Sequence, residues 1–250
     1  MCHGIEKVFN LAMGTFSKSE NFKQKFEKLL VQTSQLTGKE VGLDKYKSLQ
    51  APTNNSSPSR KRRAHAPCTY IKVAENSTIS MGVFIVREGE RIPLHDHPSM
   101  YGIIRCLQGK LKITSFTRKR TDVDVLNSLS SSYKRKIERG ELFLAEPLPT
   151  LELTPESKPC FLDPVAGNIH QVESVDGPAA FLDILSPPYN TDPDPASADK
   201  QIRDCNYYRY LDGDVDGYRW LLLSDPPSSF YCDTELYQGP EFKYSCEEEN

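Results

Sequence analysis

From Cys68 onward the sequence is a succession of short runs that are rich in β-branched, aromatic and aliphatic residues. Glycine, proline, asparagine and aspartate separate these runs, which include CTYIKVAEN, ISMGVFIV, GKLKITSF, GELFLAEP, PCFLDP, QVESV and AAFLDIL. Runs of this length and spacing are typical of the strands of an antiparallel sandwich or barrel. The sequence therefore predicts a fold dominated by β-strands.

Three segments interrupt or follow this β pattern. Residues 118–140 are polar, which predicts an insertion in a hairpin that is partly disordered or briefly helical. Residues 187–196 are rich in proline and predict a loop. The last fifty residues carry many tyrosines, and we expect them to wrap the barrel and to end in a frayed CEEEN terminus.

The chain before Cys68 has a different pattern. Residues 17–37 place apolar side chains at helical intervals, which predicts a helix packed on the core, or alternatively a partner-binding helix, with Ser19 as its N-cap. Residues 51–66 contain the basic run Arg60–Arg63 and predict a flexible, solvated loop rather than a nuclear address or a nucleic-acid patch. We expect an N-terminal helical segment with a basic loop over 1–66, and a barrel with a C-terminal wrap over 67–250, in a single catalytic domain.

The overall composition indicates in which cellular compartment this chain functions and which classes of partner it does not bind. Of 250 residues, 38% are hydrophobic and 26% are charged, as in soluble globular proteins, and the net charge of -3 offers no basic field to nucleic acid. The seven cysteines are scattered and form no CxxC pair, which indicates a reducing compartment. We find neither a signal peptide nor an apolar run of membrane-spanning length. The simplest prediction is a cytoplasmic monomer, with the nucleus as a second location, that binds neither nucleic acid nor membranes.

Two of the five histidines, His95 and His97, are separated by a single residue. In an extended strand, residues i and i+2 project from the same face, so both imidazoles can reach one ion while Asp96 points away. His170 precedes another strand-like run and is the candidate third ligand, because His3 and His65 lie in segments that we expect to be peripheral. Imidazole is the commonest protein ligand for transition metals, so this set predicts a metal site rather than three ordinary buried histidines.

Glycines around these histidines complete a recognisable pattern. Gly89, His95-Asp96-His97, Gly102 and Gly109 resemble the first cupin motif, although cupins usually carry a glutamate ligand at the position of Gly102. The stretch from Pro164 to His170 resembles the second cupin motif. The absence of the glutamate points to the thiol dioxygenases. The stretches PLHDHPSMYGIIRCLQGKLKI, GNIHQVES, AAFLDILSPPY and RDCNYYRYL resemble the cysteamine dioxygenase and plant cysteine oxidase family over roughly Cys68 to Leu211.

This resemblance implies a cupin fold, which is a jelly-roll barrel or double-stranded β-helix, with N-terminal helices. It also implies Fe(2+) held by His95, His97 and His170. The implied reaction adds O2 to the thiol of cysteamine, giving hypotaurine, and to N-terminal cysteines of proteins or peptides, giving cysteine sulfinic acid. An oxygen-sensing role in hypoxia through N-degron proteolysis would follow. Three neutral imidazoles leave the 2+ charge of the ion uncompensated, which favours a thiolate co-ligand. Zinc also occupies three-histidine sites, so the choice of iron depends on the resemblance alone.

Four further residues are candidates for the catalytic site. Asp183 is an acid inside the apolar run FLDIL, and it is either a hydrogen-bonded rim residue or the acceptor for the substrate's amine. Tyr189 either packs in its loop or contacts substrate. Cys205 and Tyr207 would share a strand face and could form a thioether cross-link like that of some thiol dioxygenases, or they could simply be buried. The alternative function is a non-catalytic metal-binding cupin that acts as an interaction protein.

Overall fold

Eleven β-strands follow two N-terminal helices in the computed structural model, which describes residues 4–17, 20–46, 49, 66–191 and 199–241. The helices are α1 (Gly4–Phe16), α2 (Phe22–Ser34), α3 (Val123–Ser128) and α4 (Ser131–Glu138). Short 3-10 turns cover Gly38–Val41 and Leu43–Lys45. The strands are β1 (Cys68–Glu75), β2 (Ser80–Val86), β3 (Arg91–Asp96), β4 (Tyr101–Lys119), β5 (Leu142–Pro147), β6 (Leu151–Leu153), β7 (Cys160–Leu162), β8 (Ile169–Ser186), β9 (Tyr207–Tyr210), β10 (Arg219–Ser224) and β11 (Cys232–Thr234).

The strands close into a barrel around β8. Antiparallel pairing runs from β8 to β3, β9, β10, β5 and β4, and β4 pairs with β8 again. The second half of β8 also pairs with β2, which continues the sheet to β1 and β11. This closed arrangement confirms the predicted β-dominated cupin barrel with N-terminal helices.

β4 and β8 bend together at one level of the barrel. Gln108 pairs with Ala180 but Lys110 pairs with Val175, so β8 carries extra residues at this point. Gly109 lies at the bend with φ of 72°, and a Cβ atom there would lie 2.4 Å from the Pro178 carbonyl oxygen. The bend therefore requires glycine on β4. The extra residues in β8 also change which side chains of β8 point to each face of the sheet on either side of the bend.

The N-terminal helices cover one outer face of the barrel. Ile5 and Val8 of α1 and Leu29 of α2 are fully buried in the same apolar cluster as Ile71 and Ile103 of the sheet. Burying each such side chain contributes about 1.5–3 kcal/mol. The two helices and this face of the sheet therefore share one hydrophobic core, as predicted for the second helix.

Two details of the predicted helix are wrong. The helix predicted over 17–37 begins only at Phe22 and ends at Ser34. Asn21, rather than Ser19, occupies its N-cap position with φ of 64°, a left-handed conformation that asparagine tolerates better than most residues. Helix α1 was not predicted.

The predicted insertion at 118–140 is confirmed as part of a hairpin, because it joins the antiparallel partners β4 and β5 and contains the short helices α3 and α4. The predicted wrap supplies β9 and β10 to the barrel and β11 to the sheet edge. The basic run Arg60–Arg63, residues 192–196 of the proline-rich loop, Ser19 and the CEEEN terminus lie outside the described residues. No helix in the described part of the chain is long and apolar enough to cross a membrane.

Candidate metal centre

Strands β3 and β8 bring the three predicted histidines together. His95 and His170 are direct partners in the antiparallel register, and His97 follows the end of β3. The three rings are buried with centroids 4.8–4.9 Å apart, and one nitrogen from each lies within 4.8 Å of the others. The structure thus brings His95 and His97, which are close in sequence, together with the distant His170 in a single cluster.

Hydrogen bonds orient the histidine rings toward this common point. The Nδ1 atom of His95 lies 2.8 Å from the carbonyl oxygen of Pro93, which can only accept, so Nδ1 carries the proton. The Tyr189 hydroxyl donates to the Asp96 carbonyl oxygen at 2.7 Å and therefore accepts from Nδ1 of His97 at 2.8 Å. In both rings the Nε2 lone pair is left free, and such second hydrogen bonds are typical of metal-ligating histidines.

Burial also keeps these rings neutral. It lowers the pKa of His95 to about 4 and lowers the pKa of His97 and His170 well below the usual range, with the neighbouring rings adding repulsion in the latter two. The Nε2 atoms of His97 and His170 lie 3.1 Å apart. Imidazole binds metals at about 2.0–2.1 Å, so two ligands at right angles are about 3 Å apart. The donor set therefore fits one divalent transition-metal ion.

Among the described residues, no carboxylate or thiol joins this three-histidine group. Asp96 points away, as predicted, and its carboxylate accepts hydrogen bonds from the Tyr208 hydroxyl at 2.6 Å and the Asn206 backbone N–H at 3.0 Å. Burial raises the pKa of Asp96, and these hydrogen bonds oppose that rise. Asp96 therefore ties β3 to the segment leading into β9 and fixes the backbone between the two histidines.

A cavity of about 350 Å³ opens beside the histidines. All four predicted catalytic residues, namely Asp183, Tyr189, Cys205 and Tyr207, line it together with the three histidines. Its remaining wall is largely apolar and includes Tyr70, Phe84, Ile92, Phe181 and Phe230. The sequence patterns did not single out these wall residues.

Within the described part of the chain, Asp183 is one of two acids that line the cavity, and the other, Glu75, forms a salt bridge with Lys72 at 2.8 Å. Burial raises its pKa to about 7, and a hydrogen bond from the backbone N–H of Ile184 opposes this rise. No salt bridge among the described residues includes Asp183. A carboxyl group in this setting gains from a cationic partner that enters the cavity.

Cys205 lies between two tyrosines of the same wall. Its thiol is in hydrogen-bond contact with the hydroxyls of Tyr189 and Tyr207, and burial raises its pKa to about 11. Burial likewise raises the pKa of Tyr207. Cys205 and Tyr207 are therefore close neighbours at the cavity, which is the arrangement that a cross-link would need.

Comparison with known proteins identifies the family. The PCO_ADO family model matches residues 32–242, which is most of the chain. The chain belongs to the PCO_ADO family. Human 2-aminoethanethiol dioxygenase is 32% identical over 244 residues, covering 88% of this chain and 82% of that protein. Plant cysteine oxidase 1 from Arabidopsis thaliana is 25% identical over 261 residues, covering 95% of this chain and 80% of that protein. The predicted family is thus confirmed.

Solved structures show a more distant likeness. A cupin superfamily protein from Desulfitobacterium hafniense aligns with a TM-score of 0.30 at 15% identity, covering 53% of this chain and 91% of that chain. In this PCO_ADO family member, the strand pairing itself closes the barrel that carries the histidine cluster.

Proposed function

We propose that this PCO_ADO family member is an Fe(2+) thiol dioxygenase. Its substrates would be O2 with cysteamine, giving hypotaurine, and O2 with the N-terminal cysteine of proteins or peptides, giving cysteine sulfinic acid. Through the second reaction it would sense oxygen by marking proteins for N-degron proteolysis. The observation that carries the proposal is the set of three neutral histidines beside a cavity that is lined by the carboxyl group of Asp183.

The protein's own residues perform the binding and the orientation. His95, His97 and His170 would hold the ion through Nε2 of the first two and a ring nitrogen of the third. When bound, a ferrous ion supplies the redox chemistry and open positions for the two reactants. Because the three ligands are neutral, the ion's full charge favours a substrate that binds as a thiolate.

Asp183 would hold the other end of the substrate. Cysteamine and an N-terminal cysteine both carry an amine two carbons from the sulfur, and this amine is protonated near neutral pH. An ammonium group facing a buried carboxylate forms a strong charge-assisted pair, and the partner's charge would lower the raised pKa of Asp183. Fixing both ends of the substrate would place the sulfur beside the ion, and holding reactants in a productive geometry lowers the entropic part of the barrier.

The cavity volume supports the larger of the two substrates. About 350 Å³ lies within the range of pockets that hold drug-sized ligands and is far more than cysteamine fills. Space is therefore left for the residues that follow an N-terminal cysteine. The apolar rings Phe84 and Phe230 on the cavity wall would contact those residues and exclude water.

Tyr189, Cys205 and Tyr207 would act around the metal centre. Tyr189 would accept a hydrogen bond from the Nδ1–H of His97 and so position this proposed ligand while lining the cavity. Cys205 and Tyr207 would form the thioether cross-link during turnover, in which a bond from sulfur to the tyrosine ring replaces one S–H and one ring C–H bond and O2 accepts the two hydrogen atoms. We propose further that residues 1–66 and 67–250 form one catalytic domain, and that the enzyme acts as a cytoplasmic monomer with the nucleus as a second location.

Metal content and O2 consumption test this function. The purified protein, loaded anaerobically with Fe(2+), should consume O2 with cysteamine and with a peptide that begins with cysteine. The same peptide acetylated at its N-terminus should be a poor substrate, and His170→Ala should abolish both metal binding and O2 uptake. A protein that binds zinc tightly and leaves thiols unchanged when iron is supplied would favour the alternative, a non-catalytic metal-binding cupin that acts as an interaction protein.

A further inference from the structure

Cys68 and Cys232 lie side by side at the edge of the sheet. Cys68 opens β1, Cys232 opens β11, and the two residues are direct partners in the parallel register of these strands. Neighbouring strands lie about 4.8 Å apart, and disulfides join Cα atoms separated by about 4.4 to 6.8 Å. Both thiols are free. The backbone therefore already has the spacing that a disulfide requires.

The two thiols differ in their access to solvent. Cys68 is completely buried, whereas Cys232 is exposed and lines the cavity. The Cys68 thiol donates a hydrogen bond to the Thr69 carbonyl oxygen at 3.9 Å, and its contact with the sulfur of Cys232 raises the pKa of Cys68 and lowers that of Cys232. An exposed sulfur with thiolate character next to a sheltered partner thiol is the usual arrangement of a redox-sensitive pair.

We propose that Cys68 and Cys232 form a reversible disulfide, with Cys232 as the attacking thiol and Cys68 as the resolving thiol. In the first step the Cys232 thiolate attacks one sulfur of a small-molecule disulfide such as oxidised glutathione, and one glutathione thiolate leaves. In the second step Cys68 attacks the sulfur of Cys232, and its proton goes to the second departing glutathione. The protein loses two hydrogen atoms and two molecules of reduced glutathione form.

This disulfide would act on the cavity. β11 has only three residues and is held at the sheet edge by its pairing with β1. Phe230, Cys232 and Thr234 of this segment line the cavity that holds the histidines. A covalent link to β1 would fix this wall and alter the space available to a peptide substrate. A disulfide in a reducing compartment would be transient, as befits a regulatory bond. This consequence for catalysis rests on the proposed function, whereas formation of the bond does not.

Mass spectrometry tests the bond directly. The full-length protein is incubated with oxidised glutathione in the absence of thiol substrate, alkylated, and measured intact and as peptides. We expect the wild type to lose two hydrogen atoms, with Cys68 and Cys232 protected from alkylation, and dithiothreitol to restore the original mass. A Cys205–Tyr207 thioether would also remove two hydrogen atoms, but dithiothreitol would not reverse it, and the measurement is repeated in Cys205→Ser.

Matched variants separate the two roles. Cys68→Val keeps an apolar side chain at the buried site and should trap a stable glutathione adduct on Cys232, while Cys232→Ser should give neither adduct nor disulfide. Cys68→Ser serves as a second variant if valine disturbs folding. An unchanged wild-type mass, or a reversible loss of two hydrogen atoms that persists in both the Cys68 and the Cys232 variants, would overturn the proposal.

A kinetic comparison tests the consequence for the cavity. Oxidation should change the KM for a peptide that begins with cysteine in the wild type, and dithiothreitol should reverse the change. The same treatment of Cys232→Ser should leave its KM where it was before oxidation. If the disulfide forms and KM stays constant, the role of the bond at the cavity wall is wrong. If neither reduced nor oxidised protein turns over thiols while the disulfide forms, the proposed function fails and the redox site stands.

Discussion

Replacing Asp183 by asparagine should make the metal-free protein more stable, and increasingly so as the pH rises. The carboxyl group has a pKa of about 7 in the folded protein against an ordinary value of 3.8, because burial disfavours its charged form. Between these two values the folded chain holds a proton that the unfolded chain has released. Wild-type stability must therefore fall as the pH rises from about 4 to 7 and then level off.

The size of the effect follows from the same shift. Each pKa unit corresponds to about 1.4 kcal/mol, so the full cost of ionising Asp183 in the folded protein is at most about 4 kcal/mol above pH 7. Asparagine resembles the neutral carboxyl group at every pH and avoids this cost. Between pH 5 and pH 8 the stability of Asp183→Asn relative to the wild type should increase by about 3 kcal/mol.

Urea unfolding at pH 5 and pH 8, in the presence of a chelator, measures this difference. Comparing the two pH values cancels any constant effect of the substitution on packing. Asp225→Asn changes an exposed aspartate and serves as the control, with the same effect expected at both pH values. If the relative stability of Asp183→Asn is also independent of pH, the carboxyl group is not held in its neutral form and the reasoning is wrong. The same variant should lose activity toward amine-bearing thiols far more than it loses metal.

Two hydroxyl groups give further predictions. Tyr189→Phe removes the acceptor for Nδ1 of His97 and should weaken metal binding by about 10- to 100-fold, as measured by competition with a chelator; unchanged affinity would show that the ring is oriented without it. Tyr208→Phe removes a hydrogen bond to the carboxylate of Asp96 and should lower the free energy of unfolding by about 1.5–3 kcal/mol in urea titrations. For Tyr208→Phe, a metal affinity that falls as far as in Tyr189→Phe would contradict the separate roles given to the two tyrosines.

The clustering of the histidines could be predicted from sequence because most of its signal is local. His95 and His97 are two positions apart, and a strand places such residues on one face whatever the rest of the chain does. His170 could be predicted only because few histidines were available. The hydroxyl of Tyr189 and the carbonyl oxygen of Pro93, which orient the rings, depend on tertiary contacts that leave no pattern in the sequence.

Asp183 shows why the rest of the site was less certain. It and His170 lie an odd number of positions apart on the same strand, so an unbroken strand would place them on opposite faces. The extra residues around Gly177 and Pro178 reset the alternation, and both side chains reach the cavity. The shift that brings Asp183 to the same face as His170 depends on how β8 pairs with β4, and the sequence of β8 alone does not reveal it.

The N-terminal helices show the opposite case, in which the signal was present. Ile5, Val8, Phe9 and Ala12 follow the helical interval and are buried along one face of α1, so the pattern indicated this helix. The start of α2 was harder to place because Asn21 occupies the cap position in a left-handed conformation and makes no side-chain hydrogen bond there. The parallel pairing of β1 with β11 is different again, because it joins distant segments of the chain without a local pattern.

Strand β8 carries both the proposed metal ligand His170 and the acid Asp183, with the Gly177 bend between them. In the proposed enzyme, a single strand therefore sets the distance between the group that binds the sulfur end of the substrate and the group that binds its nitrogen end. Changes of side-chain conformation can alter this distance only slightly, because both residues belong to a strand that is paired on each side. An aminothiol lengthened by one methylene would have to give up either its ammonium contact or its place at the ion.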